Sequence, residues 1–130
     1  MYHYSTRSKR RLATCHPKLQ AVFNEVIRHV DCSILDGHRS KTVQNHYFKQ
    51  GKSQVRWPDS KHNKKPSLAV DAVPYPIDWL DTERMAHFAG FVLGIAAQQG
   101  VILRWGGDWD GDGEIKDHQF LDYPHFELVD

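Results

Sequence analysis

Three residues with the right chemistry stand far apart in the chain: His62, Asp71 and His125. Two imidazoles and one carboxylate can hold zinc and leave a fourth position open. Zinc held that way polarises a carbonyl and makes water acidic enough to attack near neutral pH. The wide spacing and the lack of an HExxH pattern leave two readings open. Either the three meet as a zinc site, or the histidines face solvent and the aspartate is satisfied by a lysine or arginine.

The local pattern around each residue sharpens the question. Residues 67–75, SLAVDAVPY, alternate as a strand. Leu68 and Val70 point one way, and Ala69, Asp71 and Val73 point the other. A charge on a face shared with alanine and valine needs a partner if that face is buried. In the closing stretch, HFELV, His125 and Glu127 share one face while Phe126 and Leu128 share the other. Asp122 lies three residues before His125, across Pro124, where a turn could place a general base beside the site. In DGHRS, Asp36 to Ser40, Arg39 follows a turn. It either lies on the surface or reaches into a cleft to stabilise an oxyanion. A further acidic loop begins like a calcium site, with Asp108, Asp110 and Asp112 at alternate positions and Gly113 after them. Asp117 is a further candidate ligand. Gln119 stands where an EF-hand places its bidentate glutamate, so the motif is partial.

These residues need elements to hold them. Ser5 or Thr6 can cap a short helix over residues 5–13, and Pro17 opens a second over residues 17–30. A strand over CSILD leads to a turn at Gly37. A helix from Ser40 to Gly51 and a polar loop to about residue 66 follow. DTERMAHFAGFVLGIAAQQG is the clearest helix, VILRWG is a strand, and HFELV closes the chain. Helices first and short strands later predict an α+β domain with a small, mostly antiparallel sheet, in one domain over residues 1–130.

Composition narrows the classes. The chain has 130 residues, 40% of them hydrophobic, enough for a real core. No apolar run suits a membrane span, and the basic N-terminus lacks the apolar segment of a secretory signal. Cys15 and Cys32 make no CxxC pair and read as reduced thiols. The net charge of +1 hides an asymmetry: residues 1–70 carry 14 Lys and Arg against 4 Asp and Glu, and residues 71–130 carry 3 against 12. Either the basic half meets an anionic polymer such as nucleic acid or cell-wall glycan, or the halves pair with each other. The cations look scattered rather than interleaved with stacking aromatics, which argues against nucleic acid. Trp57, Trp79, Trp105 and Trp109 suit core packing more than a carbohydrate-facing wall.

SKHNKKPSLAVDAVP, with GHRS upstream and DYPHFEL near the end, resembles the VanY-like metallopeptidases, and among them the phage L-alanyl-D-glutamate peptidase endolysins. Ser60, His62, Ala69, Asp71 and Pro74 match that family's pattern, and PIDW and RWGGDW are similar as well. One departure stands out. Eight residues separate His62 from Asp71, more than in the family's pattern, and the motif glycine is absent. We read this as a longer loop between two anchored positions.

The resemblance implies a Hedgehog/DD-peptidase-like fold with zinc on its sheet. It implies His62, Asp71 and His125 as zinc ligands, Asp122 as catalytic acid/base, and Arg39 as the group that binds the substrate carbonyl. His38 and Ser60 are expected to line the substrate cleft. Calcium in the acidic loop is a further expectation by resemblance to some of these endolysins. The implied function is hydrolysis of the L-Ala–D-Glu bond in peptidoglycan stem peptides by a monomer. It would accumulate in the host cytoplasm and reach the wall through holin-type pores. The alternatives are a D-Ala–D-Ala carboxypeptidase, a non-catalytic wall-binding module and a nucleic-acid-binding domain.

Overall fold

The computed structural model describes residues 1–108 and 122–129. Four helices, α1 (Thr6–Leu12), α2 (Pro17–Val26), α3 (Lys41–Lys49) and α4 (Thr82–Gln98), surround one sheet. Its strands are β1 (Cys32–Asp36), β2 (Ala69–Pro74), β3 (Leu103–Gly106) and β4 (Asp122–Leu128). The spatial order is β1-β2-β4-β3, and every pairing is antiparallel. The expected α+β class with a small antiparallel sheet is therefore what forms.

The helix ends follow from side-chain chemistry. Ser5, Ser40 and Asp81 each accept a backbone N–H in the first turn of α1, α3 and α4, supplying partners that the helix cannot. His16 does the same for α2 through Nδ1, ahead of Pro17. Helix α2 ends at Val26, four residues short of the predicted Val30. The chain leaves the helix in a turn there, with His29 and Val30 both bonded back to the Val26 carbonyl. The last strand is longer than expected and starts at Asp122, so Asp122 lies on β4 and not in a turn before it.

Strands β2 and β4 form the centre of the sheet. All six residues of β2 are buried. Val70, Ala72 and Phe126 turn to the helical face and join Leu19, Val22, Phe23, Phe88, Ala89 and Val92 in the core. The Phe126 ring meets Phe23 of α2 and Phe88 of α4 edge-on, at centroid distances of 5.7 and 6.3 Å. The outer side of β1 is covered by α1: Ser8 Oγ accepts from Ile34 N, and Arg11 donates to Ile34 O. That caps an edge otherwise open to pairing with another chain.

The charge asymmetry is partly absorbed within the fold. Arg39 pairs with Asp71 and Lys61 with Glu127, each joining the basic half to the acidic one. Cys15 and Cys32 are free and buried, as expected. No helix among the described residues is long and apolar enough to cross a membrane.

Candidate metal centre

The register of β2 on β4 sets Asp71 directly opposite His125. Ala69 faces Glu127 two residues along, so the same face of the pair carries both acidic residues and the histidine. His62 arrives from the loop before β2, in a 3₁₀ turn over Lys61–Asn63. Ser60 caps that turn by accepting from His62 N, and Asn63 Oδ1 accepts from Ser60 N in return. The turn is stitched to the β1–α3 connection: Arg39 N donates to His62 O at 2.8 Å, and the Asn63 amide donates to Arg39 O at 3.2 Å.

Three atoms converge from these elements. His62 Nε2 lies 3.2 Å from Asp71 Oδ1 and 3.2 Å from His125 Nδ1, and His125 Nδ1 lies 3.3 Å from Asp71 Oδ1. The far nitrogen of each ring is already committed. His62 Nδ1 is 2.7 Å from the Gly37 carbonyl, which can only accept. His125 Nε2 is 2.8 Å from Glu127 Oε1, which accepts when ionised. In the neutral tautomers so fixed, the converging atoms are two bare ring nitrogens and a carboxylate oxygen. Three lone pairs then face one another, an arrangement that either a metal cation at the centre or a proton on His125 Nδ1 resolves. The edges agree in size with this. A tetrahedron built on metal–ligand bonds of about 2.0–2.1 Å has edges of roughly 3.3 Å. All three residues are buried, and as a group they could hold a metal ion.

Gly37 is needed where it stands. A Cβ there would run into the Arg11 carbonyl and the Thr14 hydroxyl, so only glycine lets the turn settle with its carbonyl against His62. Gly106 has a similar role on the other side, since a Cβ would strike the backbone of Asp122, its partner across β3 and β4.

The charges around the cluster are strongly perturbed. Burial works to raise the Asp71 carboxyl, but the His62 and His125 rings bound to it hold it well below the usual carboxylate range. Burial works to lower His125, yet its bonds to Asp71 and Glu127 and the charges nearby push it up to about 9 when no cation competes for those oxygens. Asp122 goes the other way. Burial first, and then the charge of Asp71, push it up to about 6, against the pull of His125, Arg39 and His62. Asp122 thus answers to the same charges that surround Asp71.

Arg39 is buried, not at the surface. Its Nη2 donates to Asp71 Oδ2 at 2.7 Å and its Nε to Asp36 at 2.7 Å, while Nη1 makes a longer bond of 3.4 Å to Gln44. The guanidinium lies 4.8 Å from the Tyr47 ring centre. Arg39 thus holds the outer oxygen of Asp71 so that Oδ1 turns to the histidines.

The other predicted residues divide. Ser60 is buried and its hydroxyl is used as the cap of the His62 turn, which makes it a support for His62. His38 is half-buried next to Arg39, with its backbone N–H on Thr14 Oγ1. Asp110, Asp112 and Asp117 of the calcium expectation lie outside the described residues, and Asp108 alone falls within them. Trp105 is buried as expected, but Trp57 and Trp79 are exposed, which corrects the expectation of core packing for those two; Trp109 lies outside the described residues. Sequence reasoning gave no role at the site to Glu127, Gly37, Asn63 or Asp36. Of these, Glu127 had a signal, because a carboxylate two residues from a histidine on a strand shares its face.

A model of the phage L-alanyl-D-glutamate peptidase family matches residues 1–129. The chain belongs to that family. It is 29% identical over 136 aligned residues to the L-alanyl-D-glutamate peptidase of Escherichia phage T5, covering 98% of both chains. It is 27% identical to the peptidoglycan L-alanyl-D-glutamate endopeptidase CwlK of Bacillus subtilis (strain 168), across 77% of this chain and 62% of that one. The crystal structure of the Serratia marcescens L-Ala D-Glu endopeptidase ChiX superposes with a TM-score of 0.76 at 30% identity, over 98% of this chain and 90% of ChiX. The family assignment inferred from the motifs is therefore correct, and so is the fold class that went with it.

Proposed function

We propose that this chain is a zinc-dependent peptidoglycan endopeptidase that hydrolyses the L-Ala–D-Glu bond of stem peptides. The observation that carries the reading is the convergence of His62 Nε2, Asp71 Oδ1 and His125 Nδ1 at mutual distances of 3.2–3.3 Å, each backed by a further partner. The donor set of two imidazoles and one carboxylate suits zinc. The names of the matched relatives supply the bond.

Zinc held by these three residues would contribute Lewis acidity toward the scissile carbonyl and toward water. The remaining work falls to the chain. Asp122, poised with a pKa of about 6, takes a proton from the attacking water and returns it to the leaving amine. Arg39 keeps Asp71 oriented through Oδ2, and its Nη1, the donor with the longest bond, is the one available to turn toward a substrate carbonyl. Gly37 and Glu127 fix the tautomers of His62 and His125. His38, next to Arg39, lines the cleft. We take the enzyme to act as a monomeric peptidase domain on the wall, after holin-type release from the host cytoplasm.

The test is digestion of purified peptidoglycan by the zinc-loaded protein and by its Asp122→Ala variant, with fragments identified by mass spectrometry. New N-terminal D-glutamate on stem peptides, absent with the variant, is the expected result. Release of free D-alanine would instead make the enzyme a carboxypeptidase. No cleavage by the zinc-loaded protein would favour a wall-binding module.

A further inference from the structure

Residues 41–65 carry seven lysines and arginines and one acid, Asp59. Lys61 is engaged by Glu127 and by the Leu128 carbonyl. Lys41, Lys49, Lys52, Arg56, Lys64 and Lys65 are exposed, and none has a carboxylate partner among the described residues. The sequence made these cations look scattered; the fold sets three of them on aromatic rings. Lys41 lies 5.5 Å from the Trp57 ring centre, Lys52 lies 5.7 Å from that of Tyr47, and Arg56 lies 4.8 Å from that of Phe48. An aromatic face orients a cation without neutralising it, so its N–H groups remain available to an anion.

This surface is built and pinned. Gln44 of α3, fully buried, donates to Ser53 Oγ at 2.9 Å and to the Val55 carbonyl at 2.8 Å, and Asn45 accepts from Trp57 N at 3.0 Å. The loop after α3 is thereby laid against the helix. The surface also runs into the metal centre. Tyr47 carries Arg39 as well as Lys52, and Gln44 Oε1 accepts from both Arg39 and Asn63, the neighbour of His62.

We infer that α3 and the loop after it form a docking face for the free carboxylates of wall stem peptides, with Lys41, Lys52 and Arg56 as its cations. This rests on the peptidase reading for the identity of the polymer. The chemistry of the bond supports it: a glutamate follows the scissile bond and keeps one free carboxylate, whichever of its two carboxyls is linked onward. A wall built of such peptides is polyanionic, and a face of unneutralised cations continuous with the metal centre raises its local concentration there.

The test uses Asp122→Asn protein, so that the wall is not digested, and compares it with the same protein carrying Lys41→Gln, Lys52→Gln and Arg56→Gln. Binding to purified peptidoglycan sacculi is measured by co-sedimentation across a salt series. The parent should lose about tenfold in affinity from roughly 50 to 300 mM NaCl. The triple variant should bind about tenfold more weakly at low salt and respond little to more salt. Sacculi with amidated carboxyls should bind the parent as weakly as native sacculi bind the variant. A control pair on α1, Lys9→Gln with Arg10→Gln, should change nothing. Equal binding by parent and triple variant, no effect of amidation, or tighter binding to duplex DNA of matched charge would each overturn the inference. Binding is read here without cleavage. A chain that bound sacculi through these cations yet cut no bond would keep this surface and lose the peptidase reading, and one that cut sacculi but bound them independently of charge would do the reverse.

Discussion

The two faces of the β2–β4 pair are made from alternate residues of the same strands, yet they are held together by different physics. One face carries Val70, Ala72 and Phe126, packed on α2 and α4. The other carries Asp71 opposite His125, with Glu127 one step along. Burial does not separate them, since Asp71 and His125 are each only 7% exposed. The helical face depends on area and dispersion, which have no direction and tolerate repacking. The face with the His62–Asp71–His125 cluster depends on directed bonds whose partners cannot be exchanged. A slip of one residue in register would put charges in the core and phenylalanine among the converging polar atoms.

The largest expected effect is on the directed face. Asp71→Ala removes one of the three converging atoms and leaves buried Arg39 with Asp36 as its remaining carboxylate partner. Peptidoglycan hydrolysis should fall to background, and zinc bound per chain, read by metal analysis after dialysis, should drop well below one. Retained stoichiometric zinc would break the comparison, because it would mean the face does not depend on Asp71.

On the helical face the expected loss is of stability, not chemistry. Phe126→Ala should cost about 3–5 kcal/mol of folding free energy, read from denaturant unfolding. Activity per folded molecule, measured well below the lowered Tm, should stay within a few-fold of the unsubstituted protein. A collapse of activity while the protein is still folded would show that the two faces are mechanically coupled.

A third variant lies at the first residue of β4. Asp122 ionises near pH 6 in the fold against 3.8 for an ordinary aspartate. A raised carboxyl pKa means that the folded state resists ionisation, so the penalty to stability is absent below about pH 4, grows to about pH 6 and is full above it. In protein stripped of metal, Asp122→Asn should therefore raise Tm by a few degrees at pH 7 and not at pH 4. The same substitution should abolish hydrolysis in the zinc-loaded enzyme. The unsubstituted enzyme should gain activity as pH rises through an acidic limb at or below about 6, since bound zinc favours the ionised form. The same Tm for variant and unsubstituted protein at pH 7 would show that Asp122 is not held against its own ionisation.

Much of this is legible in the sequence, and for physical reasons. Alternation in SLAVDAVPY and HFELV put Asp71, His125 and Glu127 on their faces, because side-chain direction in a strand has a period of two. Helix starts were legible because Ser5, Ser40, Pro17 and Asp81 act locally. What could not be read was anything set by tertiary contact. Arg39 reads as a surface residue until β1 and β2 pair and bring Asp71 within 2.7 Å of it. Gly37 reads as a generic turn residue until His62 docks on its carbonyl. The end of α2 at Val26 is fixed by where the chain must turn toward β1, although its apolar stripe continues to Val30. Likewise, the cations of residues 41–65 meet their aromatic rings only through the loop that folds back on α3.

The next effect down concerns the outer partner of one ligand. Glu127→Gln keeps the shape but weakens the acceptor for His125 Nε2, now a carboxylate 2.8 Å away. Partners of metal-bound imidazoles typically tune affinity by about 10–100-fold. Zinc affinity, measured by competition with a chelator, should fall within that range, with little change in Tm of the metal-free protein. An unchanged affinity would mean that the tautomer of His125 is fixed by something other than Glu127.

The smallest effect decides what Ser60 is for. Its position in the family motif suggested contact with substrate, whereas its hydroxyl caps the turn that carries His62. Removing a cap of this kind costs about 1 kcal/mol. In Ser60→Ala that loss is local, because the turn is only three residues long and is also held by Arg39 N and by the Asn63 amide. Fraying there loosens one ligand, so zinc affinity should weaken by a few-fold and KM for wall fragments should not move once zinc is saturating. Ser60→Thr keeps an acceptor at the same place and should restore the affinity. If KM rose at saturating zinc while affinity stayed the same, the hydroxyl would belong to the substrate. The longer loop between His62 and Asp71 would then have to open it to the cleft.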